Sequence, residues 1–379
     1  ISQTMPGIGN NDFRIQARAL NVASMTSAPA GYALGVFRRQ AAERGPGDEF
    51  TGLVRGDRVR DVSACGTVSD LLADWEPAQR RLAELAEDDG GGWSDLAGLD
   101  VRCPVAPRQI LQCGANYRKH VVDIVMAERR ADLSTIGHNS DVPEHEVCAW
   151  AEAMMDERAR TGSPYVFAGL PSALCGPHDE IVLPERGTNH DWELELAAVI
   201  GTPPGDRAGE PARHLTRENA LEHVAGYTIC NDITTRSLVY RKDLRAIGSD
   251  WFAAKNAPTF LPTGPFLAPA AFVGDPAGLK ITLTHNGIIR QDESCADMIF
   301  DLPAILEYIT SVTELRPGDL VLTGSPAGNG AHWGVFLAEG DVLEGEITGL
   351  GRQRNSCVRE RERQGQGQEE QEKRSAGRT

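Results

Sequence analysis

Hydrophobic positions in the first hundred residues alternate between strand-like and helix-like spacing. Apolar runs at 32–37 and 50–54 predict two strands, and the turn residues after the second run predict a hairpin. Between 68 and 86, apolar side chains recur as they do on one face of a helix. A Gly-rich break follows at 90–92. We therefore predict a small N-terminal module at 15–108.

Beyond residue 108 the pattern predicts a larger second domain. Two apolar runs flank Asn286-Gly287, which predicts a hairpin because Asn-Gly favours a tight turn. Apolar positions at 299–312 predict an amphipathic helix. The end of the chain has alternating charges and no apolar periodicity, which predicts disorder. The other predicted segments are a flexible N terminus at 1–14, the second domain at 109–351 and a mostly disordered tail at 352–379.

Two carboxylates stand two residues apart in the apolar run 191–201. Side chains of a strand alternate between its faces, so Glu193 and Glu195 are predicted to point to one face. Neighbouring anions in apolar surroundings repel each other and lose hydration. A hard divalent cation such as Mg²⁺ or Mn²⁺ relieves both costs, because it prefers carboxylate oxygens. A strand with one solvated face is the alternative interpretation.

A third carboxylate, Asp232, ends the short apolar strand predicted at 225–232. With Glu193 and Glu195 it would make a three-ligand metal site that leaves open positions for water and a chelating substrate. Asp232 is also a favourable N-cap for the segment that follows it. Both roles are compatible with the sequence.

Six short motifs, in this order and spacing, resemble those of the fumarylacetoacetate hydrolase superfamily. They are Cys113–His120, Asp191–Leu196, Asn231–Arg236, Ala254–Pro258, Pro262–Pro265 and Leu322–Gly328. The resemblance implies an α+β fold, in which a mixed β-roll catalytic domain follows a small N-terminal α/β module. It also implies Mg²⁺ or Mn²⁺, with Ca²⁺ as a third choice, and the cleavage, decarboxylation, hydration or isomerisation of small oxo-acids.

Three residues are predicted to carry the catalytic chemistry. His120 is the predicted general base, and Asp123 lies one helical turn later, where a carboxylate fixes the imidazole tautomer and raises its basicity. The resemblance places Lys255 beside the metal-bound substrate. The alternatives are a surface His–Asp pair and a lysine whose stem lies along the surface.

Five residues are predicted to bind substrate. Arg236 follows Asp232 by one turn and could hold a substrate carboxylate bidentately, or it could form an ion pair with a glutamate. The loop 323–330 is rich in small residues, so a ligand can approach its backbone closely, although ordinary Gly-rich loops have the same composition. The predicted contacts are Tyr117, Arg236, Thr323, Gly324 and Ser325.

Several positions depart from the family's usual pattern. The family often has Gln where Val239 stands, Lys or Arg where Gly169 stands, Thr where Ser325 stands and Glu where Asp123 stands. The loss of two polar contacts points to a different or less charged substrate, a different reaction or weakened catalysis. Residues 126–163 are longer than the lid of compact members, so we predict an elaborated lid with a helix between Pro143 and Gly162.

Charge and cysteine content limit the partners and the compartment. The formal charge of −16 disfavours nucleic acid and anionic membranes. No apolar run reaches about 18 residues, so no transmembrane helix is expected. The eight cysteines are scattered without a Cys-X-X-Cys motif, as expected for free thiols in a reducing cytosol. We expect a cytoplasmic homodimer.

Together these features predict a metal-dependent hydrolase that cleaves a C–C bond in a small acylpyruvate or β-diketo acid. In this hypothesis the metal and Lys255 stabilise the developing enolate, and a water activated by His120 attacks the distal carbonyl. A decarboxylase or isomerase of a 2-oxo or 2-hydroxy-dienoic acid would use the same residues. A further alternative is a protein that is not an enzyme and binds an oxo-acid without turnover.

Overall fold

The computed structural model describes residues 31–39, 49–130, 142–241, 243 and 248–360, apart from the side chains of 127–130. Within these ranges helices and strands are mixed, so the predicted α+β class is confirmed. No helix in these ranges is long and apolar enough to cross a membrane. The predicted flexible N terminus at 1–14 and residues 131–141 of the predicted lid lie outside the described residues.

The N-terminal module is a five-stranded antiparallel sheet with two helices. Its elements are β1 (Ala33–Arg39), β2 (Glu49–Arg55), β3 (Arg58–Asp61), α1 (Val68–Ala73), α2 (Trp75–Glu87), β4 (Trp93–Asp95) and β5 (Leu99–Arg102). The predicted hairpin is present, with Val54 opposite Val59. The single predicted helix is divided into two at Asp74.

A six-stranded mixed sheet forms the centre of the second domain. In spatial order its strands are β15 (Ala268–Pro269), β12 (Val224–Asn231), β11 (Leu194–Ile200), β18 (Leu320–Leu322), β6 (Ile110–Gly114) and β7 (Tyr165–Gly169). β18 is parallel to β6, and the other neighbours are antiparallel. Every residue of β11 and β12 is buried, which excludes a solvated face on β11.

A five-stranded mixed sheet packs against one face of the six-stranded sheet. In spatial order its strands are β17 (Ile288–Ser294), β16 (Lys280–His285), β19 (Val342–Ile347), β20 (Gly351–Arg359) and β9 (Ile181–Leu183). The predicted Asn286-Gly287 hairpin joins β16 to β17. Leu194 and Leu196 of β11 share a buried core with Ile281 and Leu343 of this sheet.

The other face of β11 packs against the N-terminal module. Ala197 and Val199 belong to a second buried core that includes Leu72 and Trp75. Apolar side chains are therefore buried on both faces of β11. The two predicted segments 15–108 and 109–351 therefore share a hydrophobic core.

Short elements complete the second domain. The two remaining strand pairs are β8 (Leu174–Cys175) with β14 (Leu261–Pro262), and β10 (His190–Asp191) with β13 (Thr234–Thr235). The helices are α3 (Arg118–Arg130), α4 (Glu144–Thr161), α5 (Arg236–Val239), α6 (Trp251–Lys255), α7 (Ala270–Val273), α8 (Leu302–Val312) and α9 (Gly330–Trp333). The predicted helix between Pro143 and Gly162 is confirmed as α4.

Two predicted elements have other boundaries in the structure. The predicted strand 191–201 is interrupted at Trp192-Glu193, between β10 and β11. The predicted helix 299–312 begins at Leu302, because the side chain of Asp301 caps it by accepting from the backbone N–H of Ala304.

The disordered tail was predicted to begin at residue 352, but residues 352–359 belong to a strand. β20 continues to Arg359, parallel to β9 and antiparallel to β19. Gln353, Asn355 and Cys357 are buried while the residues between them are not, so this segment has a strand period that its polar composition conceals. Residues 361–379 lie outside the described part of the chain.

Candidate active site

Three carboxylates meet where β11 and β12 adjoin. The pairing of these strands places Leu194 opposite Asn231, and the backbone N–H of Asp232 donates to the carbonyl of Glu193 at 2.8 Å. One oxygen from each of Glu193, Glu195 and Asp232 lies within 4.8 Å of the others, and all three residues are buried. The structure thus brings the three predicted ligands together, and we call them the acidic trio.

Lys255, at the end of α6, enters the acidic trio. Its Nζ donates to Glu193 Oε2 at 2.6 Å, to Thr234 Oγ1 at 2.8 Å and also to Asp232 Oδ2. The rings of Trp251 and Phe167 lie 5.5 and 5.6 Å from the same nitrogen. Lys255 is only 4% exposed, which excludes the alternative of a surface lysine.

Arg236 is engaged by carboxylates of the chain itself. Its Nε donates to Asp191 Oδ2 at 2.7 Å, and Nη2 donates to Glu193 Oε1 at 2.5 Å. Asp191, fully buried, also accepts from the backbone N–H groups of Gly330 and Ala331 at the start of α9. The structure therefore has the alternative ion pair with a glutamate, in place of the predicted grip on a substrate carboxylate.

The pKa values of the three carboxyl groups in the acidic trio are shifted in different directions. Burial alone would raise the pKa of Glu193, but the charges of Arg236 and Lys255 hold that pKa well below its usual value. Burial, with the charges of Asp232 and Glu193, raises the pKa of Glu195 well above its usual value. Burial also raises the pKa of Asp232 to about 6, despite the nearby ammonium of Lys255. The resident cations thus compensate only part of the buried negative charge.

The donor set fits a divalent cation. Asp232 Oδ1 is buried and has no hydrogen-bond partner among the described residues. An orphaned carboxylate oxygen next to a carboxyl with a raised pKa is an arrangement that a bound cation would satisfy. Carboxylate oxygens are the ligands that Mg²⁺, Mn²⁺ and Ca²⁺ prefer, so Glu193, Glu195 and Asp232 are the residues that would hold the ion.

His120, on α3, faces the acidic trio. It is 4% exposed, and its Nε2 lies 4.0 Å from Glu193 Oε1. Burial lowers the pKa of His120 to about 4, although the charge of Glu193 opposes this shift. The imidazole is therefore neutral at pH 7 and able to accept a proton.

The predicted His120–Asp123 dyad is not formed. Nδ1 of His120 is buried and has no hydrogen-bond partner in the part of the chain that the structure describes. Oδ2 of Asp123 instead lies 3.1 Å from Nδ1 of His332 on α9. His120 faces Glu193, whereas Asp123, three residues later on α3, faces His332 on α9. The two side chains therefore contact different residues.

The loop 323–330 supports the trio mainly through its backbone. The N–H of Gly324 donates to Glu195 Oε2 at 2.8 Å. Gly324 has φ +98°, and a Cβ there would lie 2.8 Å from the carbonyl of Cys113, so glycine is required. Thr323 Oγ1 donates to the carbonyl of Leu196 at 3.0 Å, and Ser325 Oγ accepts from Gln291 at 3.1 Å. The side chains of Thr323 and Ser325 are thus used to fix the loop.

Tyr117 precedes α3 and is fully buried, with a bridge to Met298. Its hydroxyl lies beside the side chains of Thr323 and Cys295 within the core, so the predicted contact of Tyr117 with substrate stays a prediction.

Comparison with known proteins identifies the family. Residues 109–358 match the sequence model described as fumarylacetoacetate (FAA) hydrolase C-terminal. The chain belongs to the fumarylacetoacetate hydrolase family. A mitochondrial oxaloacetate tautomerase of Homo sapiens is 35% identical over 284 residues, which cover 72% of this chain and 86% of the relative. A 2,4-didehydro-3-deoxy-L-rhamnonate hydrolase of Sphingomonas is 38% identical over 194 residues, covering 50% of this chain and 64% of the relative.

Solved structures agree with the family assignment. A fumarylacetoacetate hydrolase from Exiguobacterium antarcticum superposes with a TM-score of 0.62 at 25% identity, covering 87% of this chain and 100% of that chain. A maleylpyruvate hydrolase from Sphingobium has a TM-score of 0.61 at 25% identity, covering 86% and 100%. The resemblance inferred from the six motifs, and the fold it implied, are confirmed.

The departures from the usual pattern of the fumarylacetoacetate hydrolase family have structural explanations at two positions. A Cβ on Gly169 would lie 2.7 Å from Nε2 of Gln112, so the side chain of Gln112 occupies the space beside this glycine. Val239 is only 4% exposed and packs as an apolar residue.

Sequence reasoning missed three residues around the site: Asp191, Thr234 and His332. Asp191 continues the two-residue spacing of the glutamates, a signal that was available in the sequence. The contact between His332 and Asp123 has no local signal, because their elements meet only in the folded chain.

Proposed function

We propose that this protein is a divalent-metal-dependent enzyme that cleaves a C–C bond in a small acylpyruvate or β-diketo acid. The observation that carries the proposal is the convergence of Glu193, Glu195, Asp232 and Lys255 in one buried site. A bound Mg²⁺ or Mn²⁺ would supply Lewis-acid stabilisation of an enolate oxygen. Ca²⁺ is a third candidate for the same ligands.

Lys255 supplies a fixed positive charge. Burial alone would lower the pKa of Lys255, but the carboxylates of Asp232 and Glu193 raise it above its usual value, so the amine stays protonated. Thr234 holds the ammonium at 2.8 Å. A preorganised cation of this kind stabilises the negative charge that develops on the substrate oxygen.

His120 accepts the proton of the attacking water. As the water oxygen bonds to the distal carbonyl carbon, its proton moves to the imidazole. The C–C bond then breaks, and its electron pair passes to the enolate of the departing 2-oxo acid. The imidazolium of His120 then returns this proton to the enolate carbon, which completes the second product and restores the neutral base. The neutral state of His120 at pH 7, which follows from its lowered pKa, is the protonation state this role needs.

Keto–enol tautomerisation of a 2-oxo acid is a second candidate. Nδ1 of His120 has no partner among the described residues that would orient the ring, and tautomerisation moves protons without requiring a positioned water. The named activity of the human relative, oxaloacetate tautomerase, supports this candidate. Both reactions pass through an enolate stabilised by the same residues.

Turnover with product identification tests the proposal. Purified protein is given acylpyruvates and oxaloacetate, with Mg²⁺, Mn²⁺, Ca²⁺ or a chelator, and the products are identified by NMR. Hydrolysis gives two carboxylic acids from one, whereas tautomerisation converts the enol to the keto form without loss of carbon. Metal-dependent binding of these acids without either reaction would support the non-catalytic alternative.

We also propose a cytoplasmic homodimer. Tyr240 and Phe252 leave large apolar side chains exposed, at 62% and 71%, as expected of a surface that another subunit covers. The eight cysteines are free thiols, which suits a reducing compartment. Sedimentation measures the mass in solution, and a monomer at micromolar concentration would contradict the dimer.

A further inference from the structure

Helix α4 lies in the segment predicted to be an elaborated lid, yet it is docked on the rest of the chain. Val147 and Ala151 are buried with Val125 of α3 in one apolar cluster. Met155, which is 3% exposed, belongs to the main core of the second domain, together with Tyr117. Buried apolar contacts raise the free energy of local opening, so α4 holds a fixed position against α3.

The C-terminal end of α4 reaches the turn that precedes α3. Nη1 of Arg158 donates to the backbone carbonyl of Ala115, and Cζ of Arg158 lies 5.4 Å from the centre of the Phe300 ring. Burial lowers the pKa of Arg158, and partial loss of water strengthens a charge-assisted hydrogen bond of this kind. A second contact between the helices, the ion pair of Arg118 with Asp156, lies at the surface and contributes less.

The turn that Arg158 contacts has a strained backbone. Ala115 has φ +52°, a left-handed conformation that residues other than glycine rarely adopt and keep only where their surroundings hold it. The next residue, Asn116, is held by the core: its Nδ2 donates to the carbonyls of Phe300 and Thr323 at 3.0 and 2.8 Å. Arg158 holds the same turn from the side of α4, through the carbonyl of the strained residue itself.

The held turn leads directly into the helical turn that carries His120. The backbone N–H of Val121 donates to the carbonyl of Tyr117 at 3.1 Å, so α3 continues from the turn without a flexible linker. His120 lies between these hydrogen-bonded residues and Nε2 of its ring is 4.0 Å from Glu193 Oε1. A shift of the carbonyl of Ala115 would therefore shift His120 relative to the acidic trio.

We propose that Arg158 is a positioning residue that holds the start of α3, and with it His120, beside the acidic trio. The inference rests on the proposed function, in which His120 is the base. It gives α4 the role of a brace that stays closed during turnover, in place of a lid that opens and closes. Proton transfer is sensitive to the position of the base on the scale of about 1 Å, so a brace on α3 acts on the rate of the chemical step.

Steady-state kinetics on the substrate identified by the product assay tests the inference. Arg158→Met should lower kcat by about 10- to 100-fold, the loss expected when a catalytic group is misplaced by about 1 Å. KM and the Kd of Mn²⁺, measured by calorimetry, should stay close to the wild-type values, because the acidic trio is untouched. Arg158→Lys can still donate to the carbonyl of Ala115 and should recover part of kcat. If Arg158 stabilised the fold alone, Tm would fall in Arg158→Met but kcat per folded molecule would not.

Arg160→Met is the matched control. It removes the same charge from the same end of α4, but this side chain is 71% exposed and pairs with Glu157 on the surface of its own helix. Its kcat should equal that of the wild type. A wild-type kcat in Arg158→Met, or an equal loss in Arg160→Met, would overturn the inference while the proposed function stands.

Amide hydrogen exchange of the wild type tests the brace without any variant, and so decides the matter even if Arg158→Met fails to fold. Exchange in the first turn of α3 and in α4 should be slow in the metal-free protein and change little on adding Mn²⁺ and oxalate, a chelating mimic of a 2-oxo acid. Fast exchange that slows sharply with these ligands would show a closing lid and overturn the inference. If the Mn²⁺-loaded wild type turns over none of the tested acids, the proposed function fails, whereas slow exchange would still show that α4 holds α3.

Discussion

Asp123 pairs with His332 on α9, and not with His120 on its own helix. Oδ2 of Asp123 lies 3.1 Å from Nδ1 of His332, and Nδ1 of His120 has no partner among the described residues. This contact ties α3 to α9, the helix whose first N–H groups are held by Asp191. The base and the residue expected to assist it therefore have separable roles.

His120→Ala should lower turnover by roughly 10² to 10⁴, the usual contribution of a general base. Asp123→Asn should cost much less, because Asp123 does not contact His120 in this structure. Steady-state kinetics on the substrate identified by the product assay measures both. Metal affinity should be retained in each variant.

His332→Gln is the matched control for Asp123→Asn, since glutamine can still donate to Asp123 and keep α9 on α3. The two variants should have similar kcat values. A loss in Asp123→Asn as large as that in His120→Ala would show that Asp123 orients the base during turnover, contrary to the static geometry.

Lys255→Met should destabilise the metal-free protein by about 3–5 kcal/mol, because removing one member of a buried ionic group leaves its partners uncompensated. The buried carboxylates of Glu193 and Asp232 would lose their shared donor. Bound Mn²⁺ should restore more stability in this variant than in the wild type. Thermal unfolding with and without Mn²⁺ measures both effects.

Lys119→Met serves as the control for that experiment, since Lys119 is exposed and its ion pair with Glu293 lies at the surface. Its Tm should hardly change. An unchanged Tm for metal-free Lys255→Met would mean that the ammonium does not stabilise the acidic trio.

The gain in Tm on adding Mn²⁺ should grow as the pH rises through about 6. Burial raises the pKa of Asp232 to about 6, so in the metal-free fold this group stabilises most at low pH and loses that stability as pH rises through its folded pKa. Protons also compete with the cation for the same oxygen, which weakens metal binding below that pH. Thermal unfolding between about pH 5 and pH 8, with and without Mn²⁺, measures this gain in Tm. A gain that is constant over this range, or larger in acid, would contradict the prediction.

Two truncations should differ sharply. A chain ending at Glu360 should keep its Tm and activity, because residues 361–379 have too few apolar side chains to offset an ordering cost. A chain ending at Leu350 loses β20 and should fail to fold, since β19 and β9 would lose their common neighbour. A Tm drop of several degrees in the longer chain would show that the final segment docks on the fold.

The fold class was predicted from the six motifs that resemble the family, and the three candidate metal ligands were predicted from local patterns. The spacing of Glu193 and Glu195, and the position of Asp232 at a strand end, come from short runs whose chemistry is visible in the sequence. The partner of Asp123 was not predictable from the sequence. His120, three residues earlier on the same helix, and the distant His332 are both possible partners, and only the packing of α3 against α9 decides between them. β20 was missed because its polar composition hides the alternation of Gln353, Asn355 and Cys357. The sequence left two roles for Arg236, a contact with substrate or an ion pair within the chain. The position of Asp191, which favours the ion pair, is visible only in the folded structure.

Calorimetric titration of Mn²⁺ and Mg²⁺ into metal-free protein tests the central claim most directly. The account predicts one ion per chain, with affinity strongly reduced in Glu195→Gln and Asp232→Asn and unchanged in Glu293→Gln, all with a retained circular dichroism spectrum. Wild-type protein that binds none of Mg²⁺, Mn²⁺ or Ca²⁺ would contradict the account.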